Sequence, residues 1–124
     1  MIVTVTPNPG LDLTYVLAPG DALTRTEIEV HRATSATVEA SGKGVNVTRT
    51  LAGAGVASLA VLGVGGATGA QLVQLLERDG VAHRAVPMAG PTRVNTTVLT
   101  PGGPTTKLNG PGAAPSPAEL DALV

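Results

Sequence analysis

The amino-acid sequence predicts an α/β protein in which helices flank a parallel β-sheet. Strand-like and helix-like segments alternate through the middle of the chain, which is the order that parallel sheets require. Residues Val56 to Val64 form a nearly continuous apolar run, typical of a strand that is buried on both faces. Glycines follow both helical segments, as expected at helix ends.

The elements of this sheet can be placed in order. Residues 2–6 alternate and are rich in β-branched side chains, which predicts a strand ending at Pro7. Ser41 is the predicted N-cap of a helix over 42–52, and Thr68 is the predicted N-cap of a second helix that stops at Asp79 and Gly80. One face of this second helix is apolar and carries Leu72, Leu75 and Leu76. A short strand over 81–86 completes the series.

Further strands are predicted outside this sheet. Two of them, over 11–17 and 28–38, are rich in threonine and valine and are separated by a Pro-Gly-Asp turn. Residues 93–100 and 105–108 alternate on either side of a Pro-Gly-Gly-Pro segment, which predicts a hairpin.

The C-terminal segment begins a helix. Ser116, Pro117 and Glu119 form a capping-box pattern with proline at the first helical position, and the sequence stops at Val124. A helix this short is marginal alone, and a sheet of three core strands leaves an open edge. We therefore expect the chain to be the N-terminal part of a longer protein.

Composition excludes several classes of function. The chain has 124 residues, a formal net charge of −1, no cysteine, no phenylalanine and no tryptophan, so basic nucleic-acid surfaces and thiolate metal sites are not expected. The two histidines, His31 and His83, have no second metal ligand beside them in sequence, and no metal site is predicted. No run approaches the ~20 apolar residues that span a bilayer, and the N-terminus lacks signal-peptide features. We expect a cytoplasmic protein that binds neither membrane nor nucleic acid.

A glycine-rich stretch at the start of the first helix is one candidate site. Gly42, Lys43 and Asn46 lie where free backbone N–H groups and the helix dipole favour an anion or a polar oxygen. The stretch fits neither the Walker A nor the Rossmann pattern. A plain tight turn between strand and helix is the alternative.

Four charged residues are further candidates. Asp12 follows the first strand, where ligands gather in α/β sheets, although it could equally cap a turn. Arg25 and Arg93 suit phosphate because a guanidinium donates two parallel hydrogen bonds, with an ordinary solvated position as the alternative. Lys107 has a weaker claim.

Together these residues form six ordered blocks that resemble the ribokinase-like (PfkB) carbohydrate kinase family, closest to its 1-phosphofructokinase branch. The blocks are Thr6 to Asp12, Arg25, Ser41 to Arg49, Gly63 to Gly66, Thr92 to Asn95, and Lys107 to Gly112. The resemblance implies a sheet flanked by helices with a small β-sheet lid, whose strands would be inserted over about 11–38 and 92–108. It also implies a homodimer through that lid.

The resemblance implies roles for residues as well. Asp12 and Asn46 would hold sugar hydroxyls above the Gly42–Gly44 turn, and Arg93 would bind the substrate phosphate with Arg25 assisting. The implied reaction is transfer of the ATP γ-phosphoryl group, with Mg²⁺, to fructose 1-phosphate. Tagatose 6-phosphate and fructose 6-phosphate are alternative substrates, and a non-catalytic sugar-phosphate-binding or dimerisation module is an alternative function.

The sequence departs from the family pattern in three places. Gly10 stands where the family usually has alanine, and Ser41 where it often has a second glycine. The Gly-x-Gly-Asp motif that carries the family's catalytic aspartate does not occur. We therefore expect neither the general base nor the ATP and Mg²⁺ groups among these residues, and an inactive chain by itself.

Overall fold

The computed structural model describes residues 1–23 and 29–124. In these ranges the chain forms seven strands and three helices. In chain order they are β1 (Ile2–Thr6), β2 (Gly10–Val16), β3 (Ser35–Ser41), α1 (Lys43–Gly53), β4 (Ser58–Val64), α2 (Gly66–Arg78), β5 (His83–Pro87), β6 (Arg93–Leu99), β7 (Thr105–Asn109) and α3 (Pro117–Leu123).

The first sheet is parallel and has the strand order β1-β4-β5. In the centre, Val61 of β4 pairs with Val5 on one side and with Arg84 on the other. Both strand pairs of this sheet are parallel. A helix precedes the second strand of each pair, α1 before β4 and α2 before β5, as parallel connections require. The parallel sheet with flanking helices that the sequence predicts is confirmed.

Both faces of β4 are buried, as its apolar run predicts. One face, with Ala60 and Leu62, packs against α1 and α2. The opposite face, with Val61, packs against Leu123 of α3. The predicted apolar face of α2 is confirmed, since Leu72 and Leu76 are fully buried and Leu75 packs against the same cluster.

The second sheet has the order β3-β2-β6-β7 and mixes both pairings. β2 and β6 run parallel, whereas the outer pairs are antiparallel, so the predicted hairpin of β6 and β7 is confirmed. Side chains alternate along β2, so Leu11 faces the core while Gly10 and Asp12 face the opposite side. One end of this sheet lies on α2, and the polar side lies away from it.

The strand predicted over 28–38 is shifted. β3 spans Ser35–Ser41, residues 29–34 are not strand, and residue 28 lies outside the described residues. β3 cannot begin earlier because its partner β2 ends at Val16, whose carbonyl accepts hydrogen bonds from both the amide and the hydroxyl of Thr34.

The N-caps predicted for α1 and α2 are wrong. Ser41 is the last residue of β3, paired with Gly10, and the N-cap position of α1 is taken by Gly42 without a side-chain cap. Thr68 lies inside the first turn of α2, and its hydroxyl donates to the Thr92 carbonyl at 2.6 Å. Strand pairing therefore takes up Ser41, and a tertiary hydrogen bond takes up the Thr68 hydroxyl that local pattern assigned to capping.

The C-terminal helix begins as predicted. Ser116 is the N-cap of α3, and its hydroxyl and the Glu119 carboxylate complete a capping box. No helix within the described ranges is long and apolar enough to cross a membrane.

Candidate functional site

A groove of about 290 Å³ opens where β1 ends and α1 begins. Gly42, Lys43 and Arg93, all predicted site residues, lie in its wall. The complete lining is Val5, Thr6, Pro7, Asn8, Gly42, Lys43, Gly44 and Arg93. We call it the β1–α1 groove. It brings two cations and a helix N-terminus to one place.

The start of α1 lies close against β1 because two glycines allow it. A Cβ at Gly42 would lie 2.9 Å from Cγ2 of Thr6, and Gly42 has φ of 149°, which a side chain disfavours. A Cβ at Gly44 would collide with the Thr6 hydroxyl and lie 3.0 Å from the Thr4 hydroxyl. Close packing of α1 against β1 therefore requires both glycines. A tight turn between strand and helix, the alternative to a binding site, is enough to explain why these two positions are glycine.

The same geometry makes the groove electropositive. The Asn46 amide donates to the Gly42 carbonyl at 2.9 Å and begins the intrahelical ladder. The amides before it have no partner within the helix, and the helix dipole adds partial positive charge. With Lys43 and Arg93 alongside, this end of the groove suits an anion.

Two buried polar atoms of the groove lack a partner. Among the described residues, Thr6 Oγ1 and Arg93 Nε are the buried side-chain N or O atoms without a hydrogen bond. Arg93 Nη1 donates to the Gly110 carbonyl at 3.4 Å, so one part of the guanidinium is held. An unmatched buried donor costs about 1–3 kcal/mol. Such an atom is expected where a ligand supplies the acceptor.

Asp12 lies next to the groove on the polar side of the second sheet. Gly10, its neighbour on the same face, pairs with Arg93, and Asp12 pairs with Asn95. Asn95 Nδ2 donates to Asp12 Oδ1 at 2.9 Å, and the Gly110 amide donates to Asn95 Oδ1 at 3.2 Å. The carboxylate is half-buried and keeps Oδ2 for a further donor.

Besides Asp12, two predicted residues among those that the structure describes lie outside the groove lining. Asn46 is exposed one turn further along α1, where its Oδ1 accepts from Arg49 Nη1 at 3.1 Å, and it lines a separate hollow. Lys107 is exposed on β7 opposite Thr97, on the same face of the sheet as Asp12 but outside the groove lining. Arg25 lies outside the described residues.

Sequence reasoning missed other residues of this region. Asn95 follows Arg93 by two positions in an alternating strand, and that spacing could have placed both on one face. Thr6 and Asn8 had no such signal, because their position depends on how β1 meets α1.

The sequence is similar to a family of carbohydrate kinases and to individual members of it. The family described as pfkB family carbohydrate kinase matches residues 13–122. The chain is 40% identical over its whole length to 1-phosphofructokinase of Haloferax volcanii and covers 39% of that protein. It is 34% identical to 1-phosphofructokinase of Vibrio cholerae, with 98% of this chain and 37% of that protein covered.

Solved structures of sugar kinases are also similar to this chain in fold. The phosphofructokinase-2 of Escherichia coli in complex with fructose-6-phosphate matches with a TM-score of 0.85 and 32% identity, covering 98% of this chain and 39% of that one. A ribokinase-like fold is also seen at 15% identity, with a TM-score of 0.70, in a putative ribokinase from Agrobacterium tumefaciens, where 86% of this chain and 35% of that one are covered.

The chain spans about two fifths of the length of the curated relatives that it matches. The family match nevertheless extends over most of its residues, and the identity to the first relative holds over the entire chain. The chain belongs to the pfkB family of carbohydrate kinases.

Proposed function

We propose that this chain forms the sugar-phosphate side of a carbohydrate kinase site and that its substrate is fructose 1-phosphate. The observation that carries the proposal is the β1–α1 groove, where the α1 N-terminus, Lys43 and Arg93 surround one space. A phosphate group is the anion that such a cluster of donors suits best.

Asp12 completes the proposed site. Its carboxylate lies beside Arg93 along the paired strands β2 and β6, with one oxygen held by Asn95. A half-buried carboxylate next to a phosphate-binding arginine suits a ligand that carries both hydroxyls and a phosphate. The polar side of the second sheet would then act as the lid over the sugar, with Lys107 at its edge and Arg25 assisting.

The choice of fructose 1-phosphate depends on the relatives named 1-phosphofructokinase. Fructose 6-phosphate is the second candidate, favoured by the solved structural relative that holds it. Tagatose 6-phosphate is the third. Asn46 is proposed as a sugar ligand on the family resemblance, and it would have to exchange its contact with Arg49 for one with the ligand.

ATP and Mg²⁺ belong to the proposed reaction, in which the γ-phosphoryl group passes to a sugar hydroxyl. Among the described residues, no group of three or more His, Asp or Glu side chains could hold a metal ion. We therefore assign no nucleotide or metal ligand within these ranges and derive no step through either. A cytoplasmic location and inactivity of the 124-residue chain alone stay predictions.

The second sheet also suggests a dimer. Its apolar side exposes Tyr15, Val94 and Leu108, the last with 71% of its surface accessible. Pairing two such sides would cover them, and a related phosphofructokinase-2 has a tetrameric inhibited form. Sedimentation of the protein with and without Leu108→Glu tests this part, and a monomer in both cases would reject it.

The central test compares two arginine variants in the protein at its natural length. Arg93→Ala should weaken fructose 1-phosphate binding at least tenfold, measured by calorimetry, because a charge-assisted contact contributes about 1.5–3 kcal/mol. Arg78→Ala, which removes the same charge at the far end of α2, is the matched control. Equal affinities in the two variants would reject Arg93 as a phosphate ligand.

A simpler measurement distinguishes the two proposed functions, a kinase and a non-catalytic binding module. The intact mass of the protein from its natural source should exceed the 12.3 kDa of this chain if the function is phosphoryl transfer. A mass of 12.3 kDa together with sugar-phosphate binding would favour the non-catalytic module.

A further inference from the structure

Both heteroatoms of the Asn95 side-chain amide have a hydrogen-bond partner, and the two partners are of opposite character. Nδ2 donates to Asp12 Oδ1 at 2.9 Å, and Oδ1 accepts from the Gly110 amide at 3.2 Å. A carboxylate can only accept and a backbone N–H can only donate, so a single orientation of the amide satisfies both. Asn95 is therefore fixed in position between β2 and the segment that follows β7.

The same segment contacts Arg93. The Gly110 carbonyl accepts from Arg93 Nη1 at 3.4 Å, while its amide also donates to the Val94 carbonyl at 3.1 Å. A Cβ at Gly110 would lie 2.6 Å from that carbonyl, so the close approach requires glycine. Asn95 and Arg93 thus share one backbone support.

We propose that Asn95 is a positioning residue that orients the Asp12 carboxylate toward the substrate and links it through Gly110 to Arg93. This inference rests on the proposed function, in which Asp12 accepts a sugar hydroxyl. With Oδ1 held by Asn95, the free Oδ2 has a defined direction. Without the amide, the carboxylate can rotate, and part of the binding free energy is spent on ordering it again.

Other charged groups on this face determine how a test by pH must be interpreted. Glu39 of β3 is directly opposite Asp12, Arg93 precedes Asn95 by two residues on β6, and Lys107 is on the same face of β7. These groups would also interact with a carboxylate at position 95, so each variant is compared with the wild-type protein at the same pH.

Asn95→Asp is the decisive variant because it preserves shape and replaces the donor with a carboxylate. At about pH 8 two adjacent carboxylates repel, and the affinity for fructose 1-phosphate should fall at least tenfold relative to wild type. Toward about pH 5.5 the pair takes up one shared proton, which restores the hydrogen bond, and the ratio to wild type should return toward one. A loss of affinity that persisted at about pH 5.5, in a protein that the melting temperature shows to be folded, would contradict this role for Asn95.

Asn95→Ala is the second variant, with loss of sugar-phosphate affinity expected at both pH values and no change in the KM for ATP. Melting temperatures of both variants establish that the protein remains folded. Wild-type affinity in either variant at both pH values would overturn the proposal. Failure of the proposed function is distinguishable, since it would appear as absence of binding of all three sugar phosphates by the wild-type protein itself.

Discussion

Thr92 and Gly65 exchange two hydrogen bonds, one in each direction. The Thr92 amide donates to the Gly65 carbonyl at 2.9 Å, and the Gly65 amide donates to the Thr92 hydroxyl at 3.1 Å. Thr68 adds a third link by donating to the Thr92 carbonyl. Thr92 directly precedes Arg93, the first residue of β6, and Gly65 lies between β4 and α2. These bonds therefore attach the start of the β6 strand to the end of β4 and so connect the two sheets.

Replacing Thr92 should test this connection. Thr92→Val keeps the shape but leaves the buried Gly65 amide without an acceptor, so the free energy of unfolding should fall by about 1–3 kcal/mol. Thr92→Ser keeps the hydroxyl and should lose less. Urea unfolding of the natural-length protein measures both. Destabilisation by Thr92→Ser but not by Thr92→Val would show that the methyl group, rather than the hydroxyl, is what matters.

The alternation of apolar and polar residues was sufficient to predict the layers of the fold. The apolar run of β4 and the leucine face of α2 encode burial directly, and both were predicted correctly. The start of β3 was not, because it depends on where its partner strand ends. The caps at Ser41 and Thr68 were wrong for a similar reason, since Ser41 pairs with β2 in the sheet and the Thr68 hydroxyl donates to Thr92, in both cases across elements distant in sequence.

The candidate site was predictable only where local chemistry is distinctive. Gly42, Lys43 and Arg93 combine special backbone geometry or charge with a turn, and the structure brings them to one groove. Asn95 looks like an ordinary strand residue, and its link to Asp12 spans 83 positions in the sequence. The register between β2 and β6 creates that link, and it depends on how two strands that are distant in sequence pack together.

The Glu119 carboxylate should make stability depend on acid. It accepts hydrogen bonds from the Ser116 and Ala89 amides, both at 2.6 Å, and these contacts lower its pKa below the ordinary value of 4.5. A lowered pKa stabilises the folded state above the unfolded-state value, and this stabilisation is lost as the pH falls through the folded-state value.

Glu119→Gln tests this dependence. The variant should be less stable than wild type near pH 7, and the difference should shrink below about pH 4 as the wild-type carboxylate becomes protonated. Urea unfolding at a series of pH values measures it. Glu77→Gln, an exposed change on α2, is the control. A constant difference between Glu119→Gln and wild type across the series would contradict the assignment.

The stabilisation contributed by His31 should depend on pH with the opposite sign to that of Glu119. Its ring nitrogens lie 2.9 Å from Glu29 Oε2 and 3.2 Å from Asp21 Oδ1, and these two contacts, that with Glu29 first, raise its pKa above 6.5. The stabilisation is complete below that ordinary value and is lost as the pH rises through the folded-state pKa.

An NMR titration of the histidine rings measures this pKa. Glu29→Gln should lower the His31 midpoint, because Glu29 makes the larger contribution to the raised pKa and glutamine carries no charge. Asp121→Asn, on the exposed side of α3, should leave the midpoint unchanged. A His31 midpoint at or below 6.5 in the wild-type protein would refute the ion pairs.

Two glycines of α1 should respond with opposite sign to the same substitution. Gly53 has open space around the position of a Cβ, so Gly53→Ala should stabilise the protein by up to about 1 kcal/mol through helix propensity. Gly44 lies against β1, where a Cβ would collide with the Thr6 hydroxyl and crowd Thr4. Gly44→Ala should destabilise by about 1–3 kcal/mol, as expected for overpacking.

The Gly44 variant should also change binding, because α1 must move away from β1 to admit the methyl group. The amides at its N-terminus would then leave the β1–α1 groove, and affinity for fructose 1-phosphate should fall while Gly53→Ala binds as wild type does. Thermal unfolding and calorimetry on the two variants measure both effects. If Gly44→Ala proved as stable and as tightly binding as Gly53→Ala, the packing of α1 against β1 could not be what places those amides.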